Sequence, residues 1–153
     1  LIGNGLVLLH DHPDQRALLH AQPDLIKTTV EEVLRYESSN QLGNRITTEA
    51  VELNGIHMPA KTQITLCIGA ANRDPSQFDQ PEVFDIQRNP NRHIAFASGA
   101  HACAGMSLAR LEGQIALGRF VARFPNYTLT TPPVRSPRIR FRGFLSIPAQ
   151  VTI

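Results

Sequence analysis

The sequence predicts a mainly α-helical fold with small β-sheets. Apolar residues recur at helical spacing over residues 24–36 and 105–124, whereas apolar–polar alternation is confined to short runs between residues 51 and 67 and after Pro125. The 153 residues are the size of one ordinary domain, and 42% are hydrophobic, enough for a core and too many for a disordered chain. No apolar run approaches ~20 residues, so no bilayer-spanning helix is expected. The chain starts at Leu1, with no Met and no signal-like segment, and reads as a fragment of a longer protein.

Residues 1–10 are apolar and contain glycine, like the end of a helix. Pro13 suits the first turn of a helix running to about His20. Asp24 is placed to cap the next helix, whose stripe of Leu25, Ile26, Val30, Val33 and Leu34 ends near Tyr36. Asn54-Gly55, between Val51-Glu52-Leu53 and Ile56-His57-Met58, is the strongest hairpin signal in the chain. Thr62, Ile64 and Leu66 then alternate with Gln63, Thr65 and Cys67, a strand in which Cys67 reads as a buried small hydrophobe. Residues 69–92 are punctuated by Asp74-Pro75, Gln80-Pro81 and Asn89-Pro90 and form a long irregular meander, a length that usually signals function. From Gly105 to Phe124, Leu108, Leu111, Ile115 and Val121 lie near one helical face, widened by Leu117, Phe120 and Phe124. That width suits a core helix packed on more than one side. Short strands are expected at 127–130, 138–141 and 145–147.

Charge is uneven. Residues 1–87 carry a net −6; residues 88–153 hold nine arginines and one acid, Glu112, a net +8. The C-terminal half is therefore suited to an anion or an acidic partner. Its arginines lack the interleaved aromatics of a base-stacking surface, which argues against nucleic acid. Two cysteines, Cys67 and Cys103, cannot build a disulfide framework and fit a cytoplasmic setting.

Residues 96–105, Phe-Ala-Ser-Gly-Ala-His-Ala-Cys-Ala-Gly, form a glycine-bracketed loop that presents one sulfur just ahead of a long helix. The unpaired N–H groups and partial positive charge of a helix N-terminus favour a thiolate, which is a nucleophile or a metal ligand. Zinc would need a second cysteine nearby, and His101 cannot complete a tetrahedral set. A nucleophile would need a base on a separate element, and no residue is singled out for that role. Haem iron needs only one protein thiolate, because the porphyrin supplies the in-plane ligands. The plainest alternative is that Cys103 is merely a small loop residue.

At all five fixed positions this segment resembles the Phe-x-x-Gly-x-His-x-Cys-x-Gly signature of the cytochrome P450 haem-thiolate monooxygenases, and Leu108-Ala109-Arg110 with Glu112 continues the likeness. Glu32-Val33-Leu34-Arg35 resembles the family's Glu-x-x-Arg. By spacing alone the pair merely shares a helix face; the resemblance implies a buried structural anchor for the meander. Asn72-Arg73-Asp74-Pro75, Phe78, Pro81, Phe84-Asp85 and Arg88 are similar to the stretch preceding the haem loop in bacterial soluble members. Val83 stands where the family usually has an arginine that completes a Glu–Arg–Arg set, and Arg88 is the candidate substitute. Arg45 matches the arginine that binds haem propionates together with the histidine at His101. A guanidinium suits a carboxylate, and the plainer reading of Arg45 is an exposed strand-edge residue. His93 reads as a structural hydrogen-bonding histidine; His10, His12, His20 and His57 read as surface residues.

The resemblance covers essentially the whole chain. It implies that residues 1–153 are part of a haem-binding catalytic domain, the C-terminal haem-binding portion of the cytochrome P450 fold. Haem b would bind with Cys103 as axial ligand to the iron and with Arg45, Phe96, Gly99, His101 and Gly105 around it. No catalytic residue is assigned, since the proton-delivery helix would lie upstream and residues 1–10 would be its tail. The implied activity is insertion of one oxygen atom from molecular oxygen into a small organic substrate, and the chain alone is expected to be poorly soluble and inactive. Electrons would come from a ferredoxin-type donor with its NAD(P)H-dependent reductase, with no nucleic acid or membrane involved. Arg92 and Arg110, flanking the cysteine loop, are the candidates for donor docking. A peroxide-using member of the same fold and a haem-binding sensor or electron-transfer module are the alternatives.

Overall fold

The computed structural model describes residues 1–152. Helices α1 (Ile2–Asp11) and α2 (Pro13–Ala21) meet at His12, which leaves helical geometry at φ −122° and ψ 76°, and Pro13 opens the second helix. A single 3₁₀ turn, Pro23–Leu25, leads into α3 (Ile26–Tyr36). Asp24 does not cap α3. An N-cap residue needs an extended backbone, and Asp24 is already wound into the turn that Pro23 starts. No side chain caps α3, and the Leu25 carbonyl accepts the Thr28 and Thr29 hydroxyls at 2.9 and 2.8 Å.

Two antiparallel ribbons follow. β1 (Leu42–Ile46) pairs with β4 (Gln63–Cys67), placing Arg45 opposite Ile64. β2 (Val51–Leu53) pairs with β3 (Ile56–Met58) through Asn54 and Gly55, both left-handed at φ 50° and 77°, as a tight hairpin turn requires. Cys67 is exposed, not buried. The β1–β4 ribbon is two-stranded, and Leu66 beside Cys67 is exposed as well, so alternation there does not translate into a covered face.

After the short α4 (Ile68–Ala71), the chain between residues 72 and 98 contains no helix or strand, yet it sends Phe78, Phe84 and Ile86 into the interior. Phe84 and Ile86 join Leu9, Leu19 and Val33 in one core cluster; Val30, Leu34, Ala95 and Leu117 form a second. α5 (Met106–Arg123) closes both clusters along Gly113, Leu117 and Val121. At Gly113 a β-carbon would lie 2.8 Å from Leu1 and 3.4 Å from Val30, so glycine permits the close approach of the Leu1 side chain to α5. Leu108, Leu111 and Ile115, expected on the core face, are exposed. The helix is apolar on two sides, and α1, α2 and α3 pack along only one of them.

At the C-terminus, β5 (Thr128–Leu129) pairs with β8 (Ala149–Gln150), and β6 (Val134–Arg135) pairs with β7 (Phe144–Ser146). Residues 138–141 are not a strand. The Ser136 N–H bonds the Gly143 carbonyl at 2.9 Å, which makes the intervening residues the connection of the β6–β7 hairpin, and only Phe141 forms a bridge, with Asn40. Among the described residues no helix is long and apolar enough to cross a membrane.

Candidate functional site

The loop of residues 96–105 is shaped by its own backbone. The Cys103 N–H donates to the Phe96 carbonyl at 2.9 Å, the Ala102 N–H to Gly99 at 3.0 Å, and the Cys103 carbonyl accepts the Met106 N–H at 3.2 Å. Ala97 and Gly99 are left-handed, at φ 56° and 69°. Nothing lies within 4 Å of where a Gly99 β-carbon would stand, so glycine serves conformation there and not space. Gly105 caps α5, and a β-carbon on it would touch the Cys103 sulfur at 4.0 Å. Cys103 is exposed at the mouth of a recess of about 350 Å³ walled by Leu34, Ala95, Phe96, Ala97 and Ala109. His101 lines this recess and also a second one, of about 570 Å³, that holds Arg45, Ile64 and Thr65. The structure thus brings Cys103, His101 and Arg45 around adjoining hollows. Among the described residues the Arg45 side chain donates only to the adjacent Asn44 carbonyl, at 2.8 Å.

On α3 lies an ion pair with no exposure at all: Glu32 and Arg35 are both 0% accessible. Arg35 gives Nε and Nη2 to the two Glu32 oxygens at 2.8 Å each. Its Nη1 reaches the Asn72 and Pro81 carbonyls at 3.0 and 2.8 Å, and Nη2 also reaches Val83 at 3.1 Å, so all five guanidinium donors are engaged. Glu32 further accepts the Asp85 N–H and the Asn91 amide, both at 3.0 Å. Arg88 stands 3.2 Å from Glu32 and donates to the Asp79, Gln80 and Val83 carbonyls. Arg88 therefore completes a Glu32–Arg35–Arg88 set, and the Val83 backbone carbonyl serves both arginines.

The cytochrome P450 sequence model matches residues 10–152. The chain belongs to the cytochrome P450 family. It is 45% identical over 149 residues to the biotin biosynthesis cytochrome P450 of Bacillus subtilis (strain 168), covering 97% of this chain and 38% of the relative. It is 43% identical over 129 residues to the 6-deoxyerythronolide B hydroxylase of Saccharopolyspora erythraea, covering 84% of this chain and 32% of the relative. The crystal structure of P450BioI in complex with an acyl carrier protein carrying hexadec-9Z-enoic acid superposes with a TM-score of 0.96 at 43% identity, over 99% of this chain and 40% of that one. The chain spans about a third to two fifths of the length of these curated relatives. Its fold is that part of the cytochrome P450 fold, and membership of the family implies a haem cofactor.

The donor set of this cytochrome P450 chain fits that cofactor. Among the described residues no group of three or more His, Cys, Asp or Glu could hold a metal, so Cys103 offers a single sulfur ligand whose companions would come from outside these residues. A porphyrin supplies those ligands.

Sequence reasoning missed Glu31. Its carboxylate accepts Arg110 Nε and Nη2 at 2.7 and 2.9 Å and lies 2.9 Å from His93 Nε2. Burial pushes the acid up, but the hydrogen bonds from His93 and Arg110 outweigh it and hold it down to about 2. Arg110 is thus paired with Glu31 while 33% of its side chain stays exposed, and Arg92 is exposed. The available signal was the Glu31-Glu32 doublet: successive helix positions point roughly 100° apart, so two adjacent acids enter different environments. His12 is not a plain surface residue either; it is half-buried against Tyr36 and Phe84, with ring centroids 6.1 and 5.0 Å away.

Proposed function

We propose that the whole protein is a haem-thiolate monooxygenase in which Cys103 is the axial ligand to the iron, and that residues 1–153 are part of its haem-binding catalytic domain. The observation that carries this reading is a single exposed thiol at the head of α5, with His101 linking its recess to that of Arg45. When bound, haem supplies the chemistry that activates molecular oxygen and transfers one of its atoms to a small organic substrate. The chain's own residues hold and orient. The Phe96 carbonyl grips the Cys103 N–H and thereby sets where the sulfur projects. Arg45 and His101 would hold the propionate carboxylates, for which the planar guanidinium fork is suited. Gly99 and Gly105 keep the loop turned and side-chain-free beside the sulfur, and the Glu32–Arg35 cluster holds the meander in place. With both cysteines unpaired, the cytoplasm is the compartment this reading assigns.

Electrons would come from a ferredoxin-type donor and its NAD(P)H-dependent reductase. Exposed Arg92 is the residue of the basic half that this reading assigns to docking. Arg92→Glu should slow reduction at low salt, with the difference shrinking as the Debye length falls from ~10 Å at 0.1 M to ~3 Å at 1 M.

The test of the core reading is spectroscopic. In the full-length, haem-loaded protein, the reduced carbon monoxide adduct should show the red-shifted Soret band of thiolate ligation, and Cys103→His should abolish it. A band that persists in that variant overturns the assignment.

A further inference from the structure

Glu31 sits in the gap between the meander and α5, a separate environment from that of Glu32. Its two oxygens make one grip on each side of the cysteine loop. Upstream, His93 is nearly buried, with 2% side-chain exposure, and has both ring nitrogens engaged. The Ala95 N–H donates to Nδ1 at 3.2 Å, so Nε2 is the nitrogen that carries the proton toward Glu31 at 2.9 Å. Downstream, Arg110 binds Glu31 through two nitrogens and lies 4.9 Å from the centroid of the Phe96 ring, which in turn is 6.4 Å from the His93 ring. Phe96 is therefore held between the two partners of one carboxylate, and its carbonyl is the acceptor for the Cys103 N–H. The next residue, Ala97, is left-handed without being glycine, a conformation that local preference does not maintain. Its N–H donates to the Ile94 carbonyl at 2.8 Å, and the grips on His93 and Arg110 bracket that turn.

We propose that Glu31 is a positioning residue for the cysteine loop, acting through His93 and Arg110 to hold Phe96 and so to fix the Cys103 sulfur over α5. This rests on the reading of Cys103 as the iron ligand. A general stabilising role predicts something different. The side chains of Glu31 and Arg110 are 26% and 33% exposed, so their pair is a weaker prop for the whole fold than the enclosed Glu32–Arg35 pair. Their direct structural consequence is local to residues 93–110.

The experiment uses the full-length, haem-loaded protein and compares Glu31→Gln, Arg110→Lys, His93→Leu and His93→Gln by segment-resolved amide hydrogen exchange and by the carbon monoxide spectrum. Loss of one charge-assisted hydrogen bond corresponds to about a tenfold change in a local opening equilibrium. Segment 96–106 should therefore exchange about tenfold faster in Glu31→Gln, Arg110→Lys and His93→Leu, while segments 26–36 and 72–88 remain at wild-type rates. In the same variants the red-shifted Soret band should be lost faster on standing at unchanged initial haem content. His93→Gln, whose amide can donate to Glu31 and accept from Ala95, should restore both readouts. Wild-type exchange of 96–106 in Glu31→Gln, equal acceleration of 72–88, or equivalence of His93→Leu with His93→Gln would each overturn the proposal. Failure of the ligand reading looks different: wild-type protein would itself lack the red-shifted band.

Discussion

Around Glu32 and Arg35 the charged groups are enclosed, and every guanidinium donor has an acceptor. Around Cys103 the backbone lies open to solvent, two of its residues are left-handed, and a few backbone hydrogen bonds close the turn. The two regions are joined through consecutive residues of α3, since Glu32 faces the first and Glu31 grips the second. The contrast teaches how the chain divides its work. An irregular segment like the meander needs many acceptors collected on one buried cation, because its carbonyls have no regular ladder to satisfy them. A reactive sulfur needs the opposite, an unobstructed side, and so must be aimed by restraints placed behind it.

If that division holds, substitutions should fall into a steep order. Arg35→Ala or Glu32→Ala strands a buried charge and should cost roughly 3–5 kcal/mol, giving misfolded, haem-free protein in the full-length chain; denaturant unfolding and haem content report it. Normal haem content with only turnover lost would break the comparison. Arg88→Ala removes a bond to Glu32 and three to carbonyls at a partly open edge, and should cost about 2 kcal/mol, read as a lower denaturation midpoint.

Acid sharpens the contrast from the side of the loop. The folded-state value of Glu31 is depressed from 4.5 to about 2, so its contribution to stability is complete above pH 4.5 and is lost as pH falls toward 2. Allowing for solvent screening, that contribution is about 1–2 kcal/mol. Glu31→Gln should flatten the stability profile within this window; an unchanged acid limb would show that the grip on Arg110 and His93 does not form in solution.

Smaller effects are expected within the loop. Gly99→Ala meets no neighbour but forces a left-handed alanine, at about 1 kcal/mol by thermal unfolding. Cys103→Ser should eliminate the red-shifted band of the full-length, haem-loaded protein while changing the stability of the haem-free protein by no more than about 0.5 kcal/mol. Exposed Cys67→Ser should be equally neutral and leave the spectrum alone.

What the amino-acid order determined by itself was local. The Asn54-Gly55 hairpin, the helix opened by Pro13, the helix after Gly105 and the cysteine loop with its family likeness all depend on residues within a turn or two of one another, so their signals lie in a short window. The Glu32–Arg35 spacing is local too, although what encloses the pair is not. Tertiary structure alone decided the rest: that Arg88 bonds Glu32, 56 positions away; that Arg110 is bound to Glu31, 79 positions away; and that Arg45 and His101 share a recess. Burial among residues 1–152 was decided in the same way. Leu108, Leu111, Ile115 and Cys67 are exposed in this part of the family fold, and periodicity reports only that a face is apolar. Whether that face is covered depends on which distant elements pack against it, and no spacing within a helix or strand encodes that.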